Sequence, residues 1–353
     1  MVHLKEGIVN RIIRSHKDMI EVSVYVDGTE HKAIAYPYIT GNVSIGDRVG
    51  LNTTAVDLNL GTGGYHFVLF NKTINTLKTG PLGHIMKLKY TPIQIKCHTI
   101  EEQYPDSINS FKSLDGMPIV TGSIHSMLPP VVAAAKSVNP NIKIAYIMTD
   151  GGALPISFSN TVRMLKEKKL IDCTITCGNA FGGDLETVNL YTALIAAKLI
   201  RKCNGAVIIM GPGHVGTHTK LGFTGVELAN NAHTIYSMGG TPICIPRVSF
   251  SEKRNRHYGI SHHFLTTMGQ HCLIPCHMAF ANYAYNEKEY IMGQYEKYNL
   301  GKKHIIHFVE EDTISVMERY DLSIKTMGRT IREDPEFFRT AGACGMLMTG
   351  FLV

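Results

Sequence analysis

Along residues 7–70, apolar and polar positions alternate in short β-branched runs. Ile20-Glu-Val-Ser-Val-Tyr-Val26 and His31-Lys-Ala-Ile-Ala-Tyr36 are separated by Asp27-Gly28. A period of two turns one face of each run toward a core, and Asp-Gly between two such runs is a strong hairpin signal. Gly46-Asp47 before Arg48-Val-Gly-Leu51, and Gly61-Thr-Gly-Gly64 before Tyr65-His-Phe-Val-Leu-Phe70, mark further turns. The spacing predicts a small all-β domain over 1–90, a barrel or sandwich of SH3-like or OB-like size, with the choice of topology open. Residues 71–117 are less regular and read as a connection that contributes a strand such as Gln94-Ile-Lys-Cys97.

After Pro118 the texture changes. Apolar runs at 119–121, 142–148, 171–176, 206–210, 242–246 and 304–309 alternate with helix-like stretches at 131–138, 161–169, 187–203 and 226–238. Such alternation predicts βαβ units and a mainly parallel, Rossmann-like α/β domain over 91–353. Segment 187–203 is apolar around much of its circumference, which predicts a well-buried helix.

Composition narrows the class. With 353 residues and 44% hydrophobic content the chain can bury a sizeable core in more than one unit. The net charge of +6 arises from 35 basic and 29 acidic residues dispersed along the chain, too mild to point to a polyanion partner. Eight cysteines lack the two-residue gap of a zinc ribbon or thioredoxin-like motif, so free thiols in a reducing compartment are expected. Met1-Val-His-Leu-Lys-Glu has no leader pattern, and no run reaches the ~18 apolar residues that span a bilayer; a cytoplasmic protein without a membrane partner is the expectation.

The candidate chemistry lies where the strands end. Ligands of open parallel sheets bind beyond the carboxyl ends of the strands, where loops and helix amino termini converge. Here the ends open into Gly122-Ser-Ile-His125, Thr149-Asp-Gly-Gly-Ala-Leu-Pro155, Gly178-Asn-Ala-Phe-Gly-Gly-Asp184, Gly211-Pro-Gly-His-Val-Gly-Thr-His-Thr219 and Arg247-Val-Ser249. Gly211, Gly213 and Gly216 have the spacing of a dinucleotide fingerprint, but no helix opens at the third glycine and no acid ends the next strand. The loop is carried instead as a backbone anion cradle, with Thr217, Thr219 and Thr224 adding hydroxyls; an ordinary irregular turn is the plain alternative. Gly151, Gly152, Gly182 and Gly183 join it as ligand-binding candidates.

Asp150 and Asp184 are candidates for proton transfer or a divalent ion. The alternative makes Asp150 a turn residue and Asp184 the cap of a helix beginning near Leu185. In Ser249-Phe-Ser-Glu-Lys-Arg-Asn-Arg-His-Tyr-Gly-Ile-Ser-His-His263, Arg254, Arg256 and His257 would clamp a phosphate together with Arg247. Ser261 reads as a helix cap, with His262 and His263 in a first turn whose dipole keeps an imidazole neutral. Adjacent histidines point in different directions, so one of the two is expected to reach a ligand. A solvated basic loop is the bland reading of the same run. His214 and His218 lack the helical setting of a metal motif, and a lone His125 reads as structural.

The motifs Met148-Thr-Asp-Gly-Gly-Ala-Leu-Pro155, Ala180-Phe-Gly-Gly-Asp-Leu-Glu186, Gly211-Pro-Gly, Gly222-Phe-Thr-Gly225 and Arg256-His-Tyr-Gly-Ile-Ser-His-His263 resemble those of an uncharacterised bacterial family, a domain of unknown function. Leu51-Asn-Thr-Thr-Ala55, Leu60-Gly-Thr-Gly-Gly-Tyr-His66 and Glu333-Asp-Pro-Glu-Phe-Phe338 extend the resemblance to nearly full length. It implies a bacterial origin and no assigned activity, and the family pattern does not require histidine at 214 or 218.

Three functions are compatible with these residues. One is a hydrolase or transferase on a phosphorylated or otherwise anionic small molecule such as a nucleotide or sugar phosphate, with a divalent metal as a candidate cofactor. A second is an RNA-binding or ribonucleoprotein-associated module that uses the β domain and Lys253-Arg-Asn-Arg256. A third is a ligand sensor or assembly protein without turnover, and a homo-oligomer is compatible with each.

Overall fold

A computed structural model of the chain describes residues 2–61, 63–74 and 83–352. Thr62 of the early glycine turn and residues 75–82 of the expected connection lie outside the described residues. Contacts divide the chain into two units, 1–98 and 99–353, a later division than the expected boundary at 90.

The first unit contains β1 (Leu4–Ser15), β2 (Ile20–Val26), β3 (Thr29–Ala35), α1 (Pro37–Thr40), β4 (Arg48–Asn52), α2 (Thr54–Asp57) and β5 (His66–Asn71). Asp27 and Gly28 turn the β2–β3 hairpin with φ of 50° and 81°, the left-handed geometry that a two-residue hairpin turn requires. The strands close into a barrel in the order β1-β2-β3-β5-β4, with β3 and β5 parallel and the other pairs antiparallel. That order is the Greek-key closure of an OB-like barrel, which resolves the choice left open by the turn spacing. Val22, Val24 and Val26 fill its interior with Val9, Val49, Leu51 and Val68. A hairpin of β6 (Ile85–Lys87) and β7 (Ile95–Cys97) completes the unit.

The second unit begins with α3 (Ile100–Gln103) and α4 (Pro105–Asn109). It then alternates β8 (Pro118–Gly122), α5 (Leu128–Val138), β9 (Ile144–Met148), α6 (Asn160–Glu167), β10 (Cys173–Thr176), β11 (Leu185–Glu186), α7 (Leu190–Ile195), β12 (Gly205–Ile209), α8 (Glu227–Ser237) and β13 (Thr241–Cys244). After β14 (Val248–Ser249), β15 (Gly259–Ile260) and α9 (His262–Thr266) come β16 (His277–Ala281), α10 (Tyr285–Lys297), β17 (Ile305–Val309), α11 (Thr313–Arg319) and α12 (Pro335–Gly350). Eight strands form one parallel sheet in the order β11-β10-β9-β12-β8-β13-β16-β17.

Alternation along the central strands feeds two cores. Val120, Tyr146 and Val207 face a cluster with α5 and α12, whereas Ile119, Ala145, Ile147 and Ile208 face one with α7 and α8. Both faces are therefore covered, which is why these strands read as continuous apolar runs. Gly345 lets α12 lie against α5, since a β-carbon there would stand 2.1 Å from the Val131 carbonyl oxygen.

Two sequence expectations change. Helix 187–203 starts at Leu190, where the Asn189 side chain accepts the Thr192 N–H, and its end widens into a π-turn over Ala196–Ile200. Leu185 and Glu186 pair with β10 as an edge strand, so Asp184 caps no helix.

Strand order also places the switch point. β9 leads outward to β10, its neighbour β12 leads through α8 to β13 on the other side of β8, and the loops after β9 and β12 therefore part in opposite directions. A crevice at such a point is the usual ligand position in open α/β sheets.

Candidate functional site

Beyond β8, β12 and β13, three neighbouring strands, the chain gathers a histidine cluster. The short ribbon of β14 and β15 pairs Val248 with Ile260 and Ser249 with Gly259, pinching off the basic loop between them. Ser261 N–H donates to the Arg247 carbonyl at 2.8 Å, which fixes the start of α9 beside Arg247. Ser261 also caps α9, its hydroxyl accepting the His263 N–H. A 3-10 turn over Asn255–His257 brings His257 back against this helix start.

The rings of His257, His262 and His263 consequently meet, with centroids 4.8 Å (257–262), 5.0 Å (257–263) and 4.3 Å (262–263) apart. One ring nitrogen of each lies within 4.8 Å of the other two. The returning turn places His257 where the rings of both adjacent histidines converge on it. His214 adds a fourth ring 6.0 Å from His263, and Phe223 stacks on His263 at 3.9 Å. His214, His262 and His263 each bury an Nε2 that has no hydrogen-bond partner. His257 Nδ1 lies 2.7 Å from the Ser261 hydroxyl, which orients its ring.

Electrostatics favour neutral rings. Burial, and then the positive charge of Arg247, hold His257 at about 3; burial with His262, His214 and Arg247 does the same for His263. Burial, Arg256 and Arg247 lower His262. Burial leads for all three, followed by neighbouring arginine or histidine, and each ring keeps a lone pair at neutral pH.

Arg247 is buried at 5% exposure, with its guanidinium 3.5 Å from His257 Nδ1 and only 3.9 Å from Glu252 as its nearest carboxylate. Glu252 is itself held by Arg254 through bonds of 3.0 and 2.8 Å, so Arg254 is paired where the sequence offered it as a clamp. Arg329 is taken by the buried Asp334 at 2.9 Å. Arg247 is left with the weakest compensation of the three. It lines a cavity of ≈ 10 Å³, room for about one water, with Ser123, His214, Phe223, His263 and Thr267. Arg256 is half-buried nearby and acts on His262 and His263 through its charge.

The other candidates are engaged elsewhere. A β-carbon on Gly152 would stand 2.3 Å from the Gly211 carbonyl oxygen, one on Gly211 2.5 Å from the Ala153 oxygen, and one on Gly151 2.8 Å from Glu227 Oε2. With Ala153 N–H bonded to Pro212 O at 2.7 Å, these glycines let the two switch-point loops touch backbone to backbone. Gly182 N–H goes to Glu186 and Gly183 N–H to the Thr176 hydroxyl, so neither is presented to a ligand. Thr217 and Thr219 bond each other at 2.8 Å, and Thr219 accepts the Gly222 N–H, stapling an exposed turn. Gly213 turns the chain at φ 103°. Of the glycine loop, Gly216 reaches the cluster: its missing β-carbon faces His263 at 3.4 Å and His214 Nε2 at 3.8 Å.

Both aspartates have structural duties. Asp184 joins Lys166 at 2.5 Å and accepts the N–H and hydroxyl of Thr174 at 2.9 and 3.0 Å. Burial alone would raise its pKa; the Lys166 and Thr174 bonds outweigh burial and hold it low. Asp150 accepts the Asn179 N–H at 2.9 Å and caps that loop. The half-buried His125 bridges Met210 O and the Ser159 hydroxyl, in keeping with its structural reading.

Sequence reasoning missed Glu227. It accepts the Thr149 hydroxyl at 2.7 Å, and burial together with the charge of Asp150 pushes it up to about 7. An acid in the first turn of a helix looks like any dipole-favoured surface residue, so no signal in the sequence singles it out. His214 was set aside for want of helical spacing, although its partners come from other loops.

The three clustered imidazoles, His257 and His263 buried and His262 half-buried, are of a type that suits a borderline-soft cation such as Zn²⁺.

No curated protein and no solved structure matches the chain. Residues 32–345, from within β3 of the barrel through nearly all of the second unit, match a family model, and the chain belongs to that family, described as Protein of unknown function (DUF3866).

Proposed function

We propose that the second unit binds a small anionic ligand, a phosphate ester above other anions, between Arg247 and a divalent cation held by His257, His262 and His263, and that it is a hydrolase or transferase on that ligand. The observation that supports this reading is a buried, weakly paired guanidinium beside a cluster of neutral imidazoles, of which His262 and His263 bury Nε2 atoms without partners. A cation alone would be repelled by Arg247; a cation with a bound anion is not, and the anion would also complete the pairing of the guanidinium. The cation would supply a water of lowered pKa, and Arg247 would offset charge that develops on the phosphoryl oxygens. Eight free, buried thiols support a reducing bacterial cytoplasm as its location, and among the described residues no helix is long and apolar enough to cross a membrane.

The test combines metal analysis of the purified chain with thermal shifts in inorganic phosphate and turnover of a phosphomonoester panel. One equivalent less metal in His262→Ala/His263→Ala than in the wild type, with a phosphate shift lost in Arg247→Met, is expected. A wild-type chain whose melting and turnover respond to neither metal nor phosphate would overturn the proposal. A thermal shift without product would place the site in a sensor. The OB-like barrel, with Tyr25 and Phe70 exposed, favours RNA binding as a second reading, and salt-insensitive behaviour toward RNA would remove it.

A further inference from the structure

The far end of the α9 segment holds a second cluster of metal donors. The π-turn Thr267–His271 that continues α9 ends at Cys272, Cys276 immediately precedes β16, and His304 immediately precedes β17. The sulfurs of Cys272 and Cys276 and one ring nitrogen of His304 lie within 4.8 Å of one another, and all three residues are buried. The two sulfurs are 3.6 Å apart, and the buried Cys244 at the end of β13 lies in the same core, outside the 4.8 Å group.

His304 determines what this cluster can bind. Its Nε2 lies 3.0 Å from the Met268 carbonyl oxygen, which can only accept, so the ring proton sits on Nε2. Nδ1 therefore carries a bare lone pair. It is buried without a hydrogen-bond partner in a residue that is 4% exposed. A backbone carbonyl that fixes the distal nitrogen is the usual support of a metal-bound histidine. If these groups served only as core filling, a phenylalanine or leucine would fill the place of His304 without burying an unsatisfied nitrogen.

We infer that Cys272, Cys276 and His304, with Cys244 drawn in from the end of β13 as the fourth ligand, form a structural zinc site that ties the end of the α9 segment to β13, β16 and β17. Three sulfurs and one imidazole are a closed tetrahedral set for Zn²⁺, without a position for water. Binding transfers one proton from each of the three thiols to solvent and leaves His304 neutral. The bound unit then carries one negative charge, which the Lys303 ammonium offsets: Lys303 Nζ donates to the carbonyls of Cys272 and Gly269 at 2.8 and 3.3 Å and acts on both Cys272 and Cys276 through its charge. The surroundings are apolar, with Leu265, Met268, Met278 and Leu300 in the same core, so a soft thiolate site there is dry and shielded. Its place differs from the histidine cluster: one stands at the start of α9, the other beyond its end.

Cobalt spectroscopy on the full-length chain tests the site without requiring an activity. The chain is stripped with chelator, checked for retained secondary structure, and titrated with Co²⁺. The expected result is an intense tetrahedral visible spectrum with a sulfur-to-cobalt band in the near ultraviolet, complete at one equivalent for this site and erased by Zn²⁺. Cys276→Ser and His304→Gln should each weaken Co²⁺ affinity at least tenfold, while His262→Ala/His263→Ala leaves the sulfur-to-cobalt band intact. His304→Cys keeps four donors and should retain binding with a stronger band, which separates loss of a ligand from loss of folding. A folded wild-type apo chain that takes up Co²⁺ with no sulfur-to-cobalt band overturns the inference, as does a band that survives unchanged in Cys272→Ser/Cys276→Ser.

Discussion

The carbonyl oxygen of Gly211 lies 2.3 Å from where a β-carbon on Gly152 would stand. The DGG and GPG loops therefore meet at the switch point of the sheet because neither carries a side chain at the contact. Gly152→Ala must push one backbone away from the other and is expected to destabilise the second unit by about 2–4 kcal/mol. Gly293→Ala, in the exposed part of α10 with nothing within 4 Å of the added carbon, should instead stabilise by up to about 1 kcal/mol. Denaturant titration of both variants decides the matter. Equal, small effects would return Gly152 to the list of ligand-facing glycines.

Asp184 offers a clean separation of structure from chemistry. Asp184→Asn removes the charge that Lys166 and Thr174 share and should cost about 1–2 kcal/mol. Phosphate-induced stabilisation should be unchanged, since Asp184 sits at the β10–β11 edge. Loss of the phosphate response in a well-folded Asp184→Asn protein would restore it as a site residue.

Glu227 predicts a pH dependence of one sign. Its folded pKa, raised from 4.5 to about 7, makes the unfolded state ionise first, so its contribution to stability is lost as pH rises from about 4.5 to 7. Glu227→Gln keeps an acceptor for the Thr149 hydroxyl and removes the buried charge beside Asp150. At pH 8 it should be more stable than the wild type by about 3 kcal/mol, the order of the linkage value of that shift, and the gain should vanish below about pH 4.5. Stability curves of the two proteins at pH 4.5, 6 and 8 check this; a gain independent of pH would show that the carboxylate is not protonated at neutrality.

His125 predicts the opposite sign. Burial lowers it from 6.5 to about 4, so the unfolded chain takes up the proton first and stability falls as pH drops from about 6.5 to 4. His125→Asn lacks that titration. It should be less stable than the wild type at pH 7, through loss of the bonds to Met210 and Ser159, and the gap should narrow toward pH 4. Amide exchange in α6, whose cap is Ser159, should report the same trend. A gap that widens on acidification would contradict the buried neutral assignment.

Arg247 separates pairing from simple charge. Arg247→Lys keeps a cation but loses the planar fork, and should weaken phosphate binding about tenfold while leaving metal content unchanged. Calorimetric titration with inorganic phosphate reads this directly. Equal affinity in Arg247→Lys would mean that the guanidinium does not contact the anion.

Local pattern was enough for many of the elements, though not for β11 or β16. The Asp27-Gly28 hairpin, the apolar parallel strands and the Ser261 cap follow from periods of two residues, from turn chemistry and from a hydroxyl placed before a helix; these are short-range effects that the order of residues carries. The closure of the barrel and the partners at the strand ends are long-range. β12 inserts between β9 and β8, and this insertion, invisible in periodicity, sets the GPG loop against the DGG loop. It converts an apparent anion cradle into a backbone contact. Likewise, nothing near Arg254 in sequence distinguishes it from Arg247, yet Glu252 neutralises the first far better than the second. Residues 257, 262 and 263 are neighbours in the chain, but only the returning 3-10 turn makes their nitrogens converge. Sequence thus determined which groups were available at the carboxyl edge of the sheet. Tertiary structure alone decided which of them had already found partners, because a hydrogen bond or ion pair formed across the fold removes a group from the chemistry it could otherwise offer.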